Sequence, residues 1–372
     1  PSIAAAIARF PFTVCFAYTH DETNHMADLL LPDATDLEGL QLIRIGGTKF
    51  VEQFWDKQGF ALRQPVAAAQ GECRDFTWIA TELAQRSGVL EQYNAAINRG
   101  AAGINLSGAG YDFSLNATVA HDRETIWDAA CRAASAEITG GVETQGLDWF
   151  RRHGYRLKPF SRIKWYLTAA LEDQNLRYEM PYQERLLRIG KELGRRLHQS
   201  GIGWWDEQLQ EYEALPGWKD FPAIWEQALA RHFKVNIDDF PFWLVTSRSM
   251  QYAWGGNAAI PLMHEMAKNI KGHSGIVINS ARARELGLAD GDLVEIRSPL
   301  NATRGTLVTR QGIRPDTVLL LGQFDHWATP VARDFHMPSM NALVPMLLDL
   351  TDSTGSGADL VRVQIRKLAR GK

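Results

Sequence analysis

Cysteine is scarce in this chain and scattered. Cys15, Cys73 and Cys131 stand far apart, with no C-x-x-C pair among them. A thiolate zinc or iron–sulfur site needs four ligands brought close, usually two of them in one short loop, so these three cannot build one alone. The low count fits a reducing compartment, although an exported chain also does without disulfides. Long apolar runs are missing too. No stretch reaches the roughly 18 apolar residues needed to span a bilayer, and "PSIAAAIARFPFTVCFAYTH" lacks the basic n-region and starting Met of a signal peptide. Positive charge is not in surplus: 40 Lys and Arg face 43 Asp and Glu, a net charge of −3. That argues against a general nucleic-acid binder, which carries a basic stripe, and gives no reason to expect a charged membrane patch. A G-x-S-x-G elbow and a P-loop are both absent, which removes the usual signatures of a serine or nucleotide hydrolase. No internal repeat or low-complexity tract stands out.

What is present is an ordinary globular composition at a length that calls for two or three domains, since 372 residues exceed one simple core. The chain opens at Pro1 inside what reads as the end of a helix over residues 1–9, as a piece of a longer polypeptide would. "FTVCFAY", residues 12–18, is β-rich and apolar, like a buried parallel strand. "ADLLLP" gives a second strand closed by Pro32. Between them His20, Asp21, Glu22 and Thr23 follow the first strand's carboxyl end, where ligands gather in α/β sheets. Helical spacing appears at 72–87 and again at 123–136, with Asp122 or Thr125 as the N-cap. The intervening "AAGINLSGAGYDFSLN" reads as a loop, and its glycines neither follow a strand nor open a helix, so it is no phosphate loop. Further helices are predicted near 183–198 and 221–233.

A change of character falls at 236–241. Beyond it, "WLVTSRS", "GIVINS", "DLVEIRS", "GTLVTR" and "TVLLLGQF" are short β-type runs separated by Gly, Asp, Asn and Pro, with a helix at "SARARELG". This spacing predicts a closed barrel. Within it, a helix-like tail ends in Gly287, Asp290-Gly291-Asp292 turns the chain, and residues up to 310 read as two alternating strands joined by a polar loop, with no evident catalytic residue. The expected fold class is α/β plus β: a partial α/β sheet domain over 1–70, a mostly helical connecting region over 71–238, and a β-barrel over 239–372.

Three segments could carry chemistry. In "TSRSMQYAWGGN", residues 246–257, Arg248 can clamp a phosphate or carboxylate through its planar fork. Ser247 and Ser249 can donate to phosphate oxygens. Tyr252 and Trp254 can pack on a ring, and Gly255 with Gly256 lets a flat ligand approach the backbone. The same residues would also make a polar turn with an aromatic core anchor. In "LGQFDHWATPVARDFHMPSMNAL", residues 321–343, Asp325 and His326 invite an acid–base reading. No nucleophile accompanies them, and a neighbouring Asp-His pair is more often a structural hydrogen bond. Long irregular segments of this kind still tend to line sites. In "THDETNHMAD", residues 19–28, His20, Glu22 and His25 are not spaced as H-E-x-x-H, so polar residues at a strand end are favoured over a metal site. Arg151, Arg152 and His153 read as a solvated face.

Taken in order, these pieces resemble the C-terminal part of a catalytic subunit of the dimethyl sulfoxide reductase family. The resemblance rests on Glu22-Thr23, Ala27 to Pro32, Thr35 and Glu38; on Thr246, Ser247, Arg248, Tyr252, Trp254 and Gly255; on Asn279 with "LGLADGDLVEI"; and on "RPDTVLLLGQFDHW" leading to Asn341. It covers nearly the whole chain. "PYQERL", residues 181–186, resembles a subgroup that includes phenylacetyl-CoA:acceptor oxidoreductases. The resemblance implies a C-terminal double-psi β-barrel that grips bis-molybdopterin guanine dinucleotide (bis-MGD) carrying molybdenum or tungsten. The metal performs two-electron redox chemistry, which is why the barrel needs no nucleophile. By position, Thr246, Ser247, Arg248, Ser249, Tyr252, Trp254, Gly255, Gln323, His326 and Asn341 would be cofactor-binding, while Thr23 and Asp28 would be structural. No catalytic residue and no metal ligand is expected here, because the family's metal ligand and iron–sulfur cysteines lie upstream. Expected partners are that N-terminal remainder, an iron–sulfur electron-transfer subunit and a membrane-anchor subunit, with no nucleic acid. A cytoplasmic or membrane-associated location is favoured and a periplasmic one stays open. The alternative is a non-catalytic binding or assembly module that keeps the barrel without cofactor.

Overall fold

The computed structural model describes residues 2–46, 57–101, 103–159, 184–215, 220–252, 255–273, 275–321, 326–335, 337–351 and 361–369. The chain divides into two compact units, residues 1–19 with 26–179, and residues 20–25 with 180–372.

In the first unit, β1 (Val14–Ala17) and β2 (Leu29–Pro32) pair in parallel, Val14 opposite Leu29. The parallel pairing is as read from the sequence; the expected burial is not found. Val14 is 39% exposed and Leu30 42%. The reason is topological: the pair forms a two-stranded sheet, so neither strand has neighbours on both sides. β3 (Gln41–Gly46) and β4 (Lys57–Arg63) are antiparallel neighbours. The glycine-rich stretch contains a short hairpin, β5 (Ser107–Gly108) with β6 (Tyr111–Asp112), and buries Ile104 and Leu106. β7 (Tyr155–Pro159) adds to the other edge of β4. The core forms where Leu42 and Phe60 of this sheet meet the helix Arg123–Thr139. That helix buries Ala129, Ala130, Cys131, Ala133 and Ala134, small residues that let its backbone approach the sheet. Asp122 is its N-cap, accepting from the Thr125 N–H at 2.7 Å. Burial pushes the Cys131 thiol up to about 12, which leaves it an inert core group.

The second unit carries helices Glu184–Gln199 and Phe221–Phe233 at the predicted places and then the barrel. Its strands are β8 (Phe242–Ser247), β9 (Ile276–Asn279), β10 (Leu293–Arg297), β11 (Ala302–Arg310), β12 (Thr317–Leu321) and β13 (Val361–Lys367). They close in the order β10-β11-β9-β12-β8-β13, the double-psi barrel that the resemblance implies. The period-2 alternation of each strand sends one set of side chains inward. Leu244, Ile276, Ile278, Val294, Ile296, Leu307, Val318, Leu320, Val361 and Val363 are all fully buried there. Residues 286–310 form the antiparallel hairpin read from the sequence, Leu293 opposite Thr306. The hairpin turns at residues 298–301, where the Ser298 N–H donates to the Asn301 carbonyl at 2.9 Å; ahead of β10, Gly291 bends the chain at φ 84°, Asp292 accepts from the Ala289 N–H at 2.8 Å, and Asp290 accepts from the Thr309 N–H at 2.9 Å. β13, which closes the barrel against β10 and β8, is the barrel strand that the sequence does not predict, and β3 to β7 of the first unit are likewise not predicted as strands.

Candidate functional site

β8 and β12 run parallel, with Leu320 opposite Thr246 and Leu321 opposite Ser247. Their carboxyl ends therefore lie side by side, and the segments after Ser247 and after Leu321 leave the barrel at one end. β9 is antiparallel to β12, Ile276 opposite Leu320, so the segment leading into β9 arrives at that end as well. Thr246 is half-buried, Ser247 and Arg248 are exposed. Ser249 differs: its Oγ is buried and has no hydrogen-bond partner among the described residues. Leaving a buried hydroxyl unsatisfied costs about 1–3 kcal/mol. A hydroxyl in that state, next in sequence to the exposed residue Arg248 at a strand end, suits a ligand that supplies polar oxygen or nitrogen atoms and negative charge.

The other sequence-predicted residues distribute around this end. Tyr252 is 0% exposed and packs with Ala258, Ala267 and Ala332, its hydroxyl paired with His264 Nδ1 at 3.0 Å. The His264 ring stacks on Phe335 with centroids 3.4 Å apart, and burial holds its pKa below the ordinary value. Tyr252 is thus a pillar joining the segment after β8 to the segment after β12, rather than an open stacking surface. Gly255 opens a 3-10 turn, Gly255–Ala259. Asn341 is exposed, in a turn tied to β11 where Ser339 N–H donates to Thr303 Oγ1 at 2.7 Å. Trp254, Gln323 and Asp325 lie outside the described residues.

His326 is drawn in by a residue that the sequence had placed elsewhere. Glu22 Oε1 accepts the N–H groups of Trp327 and Ala328 at 2.8 Å each and of Thr329 at 3.0 Å. Oε2 accepts the Thr329 hydroxyl at 2.9 Å and lies 3.1 Å from His326 Nδ1. Partial burial by itself raises the Glu22 pKa, but these donors, the Ala328 N–H foremost, outweigh it and hold the carboxyl well below its ordinary 4.5. The Glu22 carboxylate is engaged by the 326–329 turn, while His20 and His25 contact each other at 3.2 Å. Among the described residues no group of three or more His, Cys, Asp or Glu could hold a metal ion. Asp28, by contrast, is structural as expected, accepting from the Thr13 N–H at 2.8 Å.

An open groove of about 790 Å³ borders the same turn, lined by Arg297, Arg304, Arg333, His326 and Trp327 with Glu295 at its base. Glu295 is 4% exposed and gathers three guanidinium groups: Arg366 at 2.8 Å, Arg297 and Arg304 at 3.4 Å each. Burial alone would raise the Glu295 pKa; Arg366 and its two neighbours bring it below the usual value. Cations outnumber carboxylates along this wall.

With this geometry in place, comparison with known proteins is informative. Residues 242–356 match the molydopterin dinucleotide binding domain. The chain is 23% identical, over 97% of its length, to the arsenate respiratory reductase molybdopterin-containing subunit ArrA of Chrysiogenes arsenatis, and spans 43% of that relative. It shares the fold of acetylene hydratase from Pelobacter acetylenicus, with a TM-score of 0.55 and 12% identity over 97% of this chain and 41% of that one. These findings bear out the resemblance to the dimethyl sulfoxide reductase family.

Proposed function

We propose that this chain, whose barrel is a molydopterin dinucleotide binding domain, is the cofactor-gripping portion of a molybdenum or tungsten oxidoreductase. When bound, bis-MGD with its metal supplies the two-electron redox chemistry; what these residues do is bind and orient it. The observation that supports this most is the shared exit of β8 and β12, lying inside the matched domain. It puts the Arg248 guanidinium and the unsatisfied Ser249 hydroxyl at one barrel end. Arg248 offers a planar fork of donors to a phosphate, and Ser249 the single hydroxyl that a polar group on the cofactor would satisfy. Thr246, Ser247, Gly255, His326 and Asn341 complete the proposed contacts, with Trp254 and Gln323 carried by position. Tyr252 acts through the segments it joins.

In this reading the metal ligand and iron–sulfur cysteines belong to the upstream half of a protein about twice as long. Electrons pass through iron–sulfur clusters to a partner subunit. Among the described residues no helix is long and apolar enough to cross a membrane; a separate membrane-anchor subunit is part of this proposal. The test is to purify the complete gene product and measure molybdenum, tungsten and released pterin per chain. One bis-MGD per chain is expected, and Arg248→Ala should cut its retention at least tenfold. A complete product that purifies without metal or pterin would favour a barrel retained for assembly alone.

A further inference from the structure

The turn at 326–329 is held by contacts of one polarity. Five donors converge on Glu22: three successive backbone N–H groups, the Thr329 hydroxyl and the His326 ring. Only an acceptor-only group serves all five, and an ionised carboxylate is one. Successive N–H groups turned toward one point form a nest that binds anions. Here the anion comes from the same chain, 304 to 307 residues away. Two residues beyond the turn, Val331 has φ 68°, a left-handed conformation that a β-branched side chain avoids at a cost of about 1–3 kcal/mol. Such a backbone persists only where its surroundings over-determine it, and the five contacts to Glu22 constrain the turn just before it. Because an ionised carboxylate cannot donate, His326 must offer Nδ1–H to it, which fixes the ring's orientation and leaves Nε2 as its other polar atom.

We propose that Glu22 is a positioning residue for the candidate site: it locks the 326–329 turn and presents His326 to the groove as a single tautomer. The inference rests on the proposed function only in treating this turn as cofactor-facing; the lock itself stands on the contacts above. It acts through charge as well as shape. Gln at this position has nearly the same outline, but it turns an amide donor toward donors. Asp keeps both acceptor oxygens and loses one methylene.

The experiment compares the unmodified chain with Glu22→Gln, Glu22→Asp and Thr329→Val. Amide hydrogen exchange at 327–329 should rise at least about tenfold in Glu22→Gln, from loss of hydrogen bonds to a charged acceptor. It should rise about threefold in Thr329→Val, which removes one donor and keeps the carboxylate. Glu22→Asp should recover part of the protection. The ring-nitrogen spectrum of His326 should show the Nδ1–H form in the unmodified chain and a mixture in Glu22→Gln, with His264 unchanged. A purely space-filling role would leave that tautomer unmoved. Unchanged exchange and tautomer in Glu22→Gln overturn the inference. If Glu22→Gln does not fold, unchanged exchange in Thr329→Val overturns it. A released turn in the complete protein with undiminished pterin content would support the lock and count against the cofactor role assigned to His326, so the two failures are separable.

Discussion

Leu244 and Leu30 both sit in short apolar runs that look alike as sequence, "FWLV" and "LLLP", yet Leu244 is 0% exposed and Leu30 42%. The difference is in the number of partners. Each barrel strand has a neighbour on both edges, because the ring β10-β11-β9-β12-β8-β13 closes on itself. One face of every strand then points into a core filled by the others. Among the described residues, β1 and β2 pair only with each other. An apolar run states what a strand is able to bury; the sheet it joins decides how much it does. The same contrast separates the two units functionally. The barrel can hold polar loops at one end because its interior is finished without them, as the hairpin at 286–310 illustrates.

The largest effect expected from this contrast is on stability. Leu244→Ala removes a side chain packed on all sides and should cost about 2–5 kcal/mol, read as a lower midpoint in denaturant unfolding followed by barrel-core amide exchange. Leu30→Ala should stay within about 0.5 kcal/mol. Equal losses at the two positions would mean that the β1–β2 pair is covered after all, and the contrast drawn from partner number would fail.

A smaller effect separates the ion cluster of the barrel wall from ordinary surface charge. Glu295 is nearly buried, but its partners Arg297, Arg304 and Arg366 are 49%, 69% and 65% exposed. Glu295→Gln should therefore cost about 1–2 kcal/mol, below the figure for a fully buried pair. The pH dependence has a definite sign. The folded pKa of Glu295 lies below its ordinary 4.5, so its contribution is present above pH 4.5 and is lost as pH falls through the lower folded value. The difference between Glu295→Gln and the unmodified chain should shrink in acid and hold steady from pH 6 to 8. A difference that grew in acid would reverse the assignment.

Much of this organisation was legible before any coordinates. The helices at 76–86, 123–139, 184–199 and 221–233 follow from spacing and caps. The barrel follows from strands at regular intervals, and the polar segments after β8 and β12 were visible after apolar runs, whereas their shared exit follows only from the parallel pairing of the two strands. Other parts were not legible, among them the sheet β3-β4-β7 and the helix Leu90–Gly100. β13 alternates Val361, Val363 and Ile365 with Arg362, Gln364 and Arg366, a period-2 signal of a strand buried on one face. The Glu22 lock had no local signal at all. A carboxylate joined to a turn 304 residues later is a product of tertiary pairing, and the surrounding "THDETNHMAD" suggested metal ligands because two histidines flank it. Likewise, nothing in "TSRS" distinguishes Ser249, whose hydroxyl is buried, from Ser247, which is exposed.

The smallest expected effect lies in the first unit, where local chemistry rather than closure does the holding. Asp122 caps the helix Arg123–Thr139 by accepting from the Thr125 N–H at 2.7 Å, and that N–H draws the Asp122 carboxyl below its ordinary pKa. Asp122→Ala should cost about 1 kcal/mol and Asp122→Asn only a few tenths, since Asn caps nearly as well. The loss should be seen as faster amide exchange in the first turn of that helix, with the barrel amides unaffected. The two units would then answer separately: a cap removed from one should leave the other's protection where it was. If barrel amides loosened together with the helix, the units would unfold as one cooperative body, and the contrast between a self-closed barrel and a locally held neighbour would have to be given up.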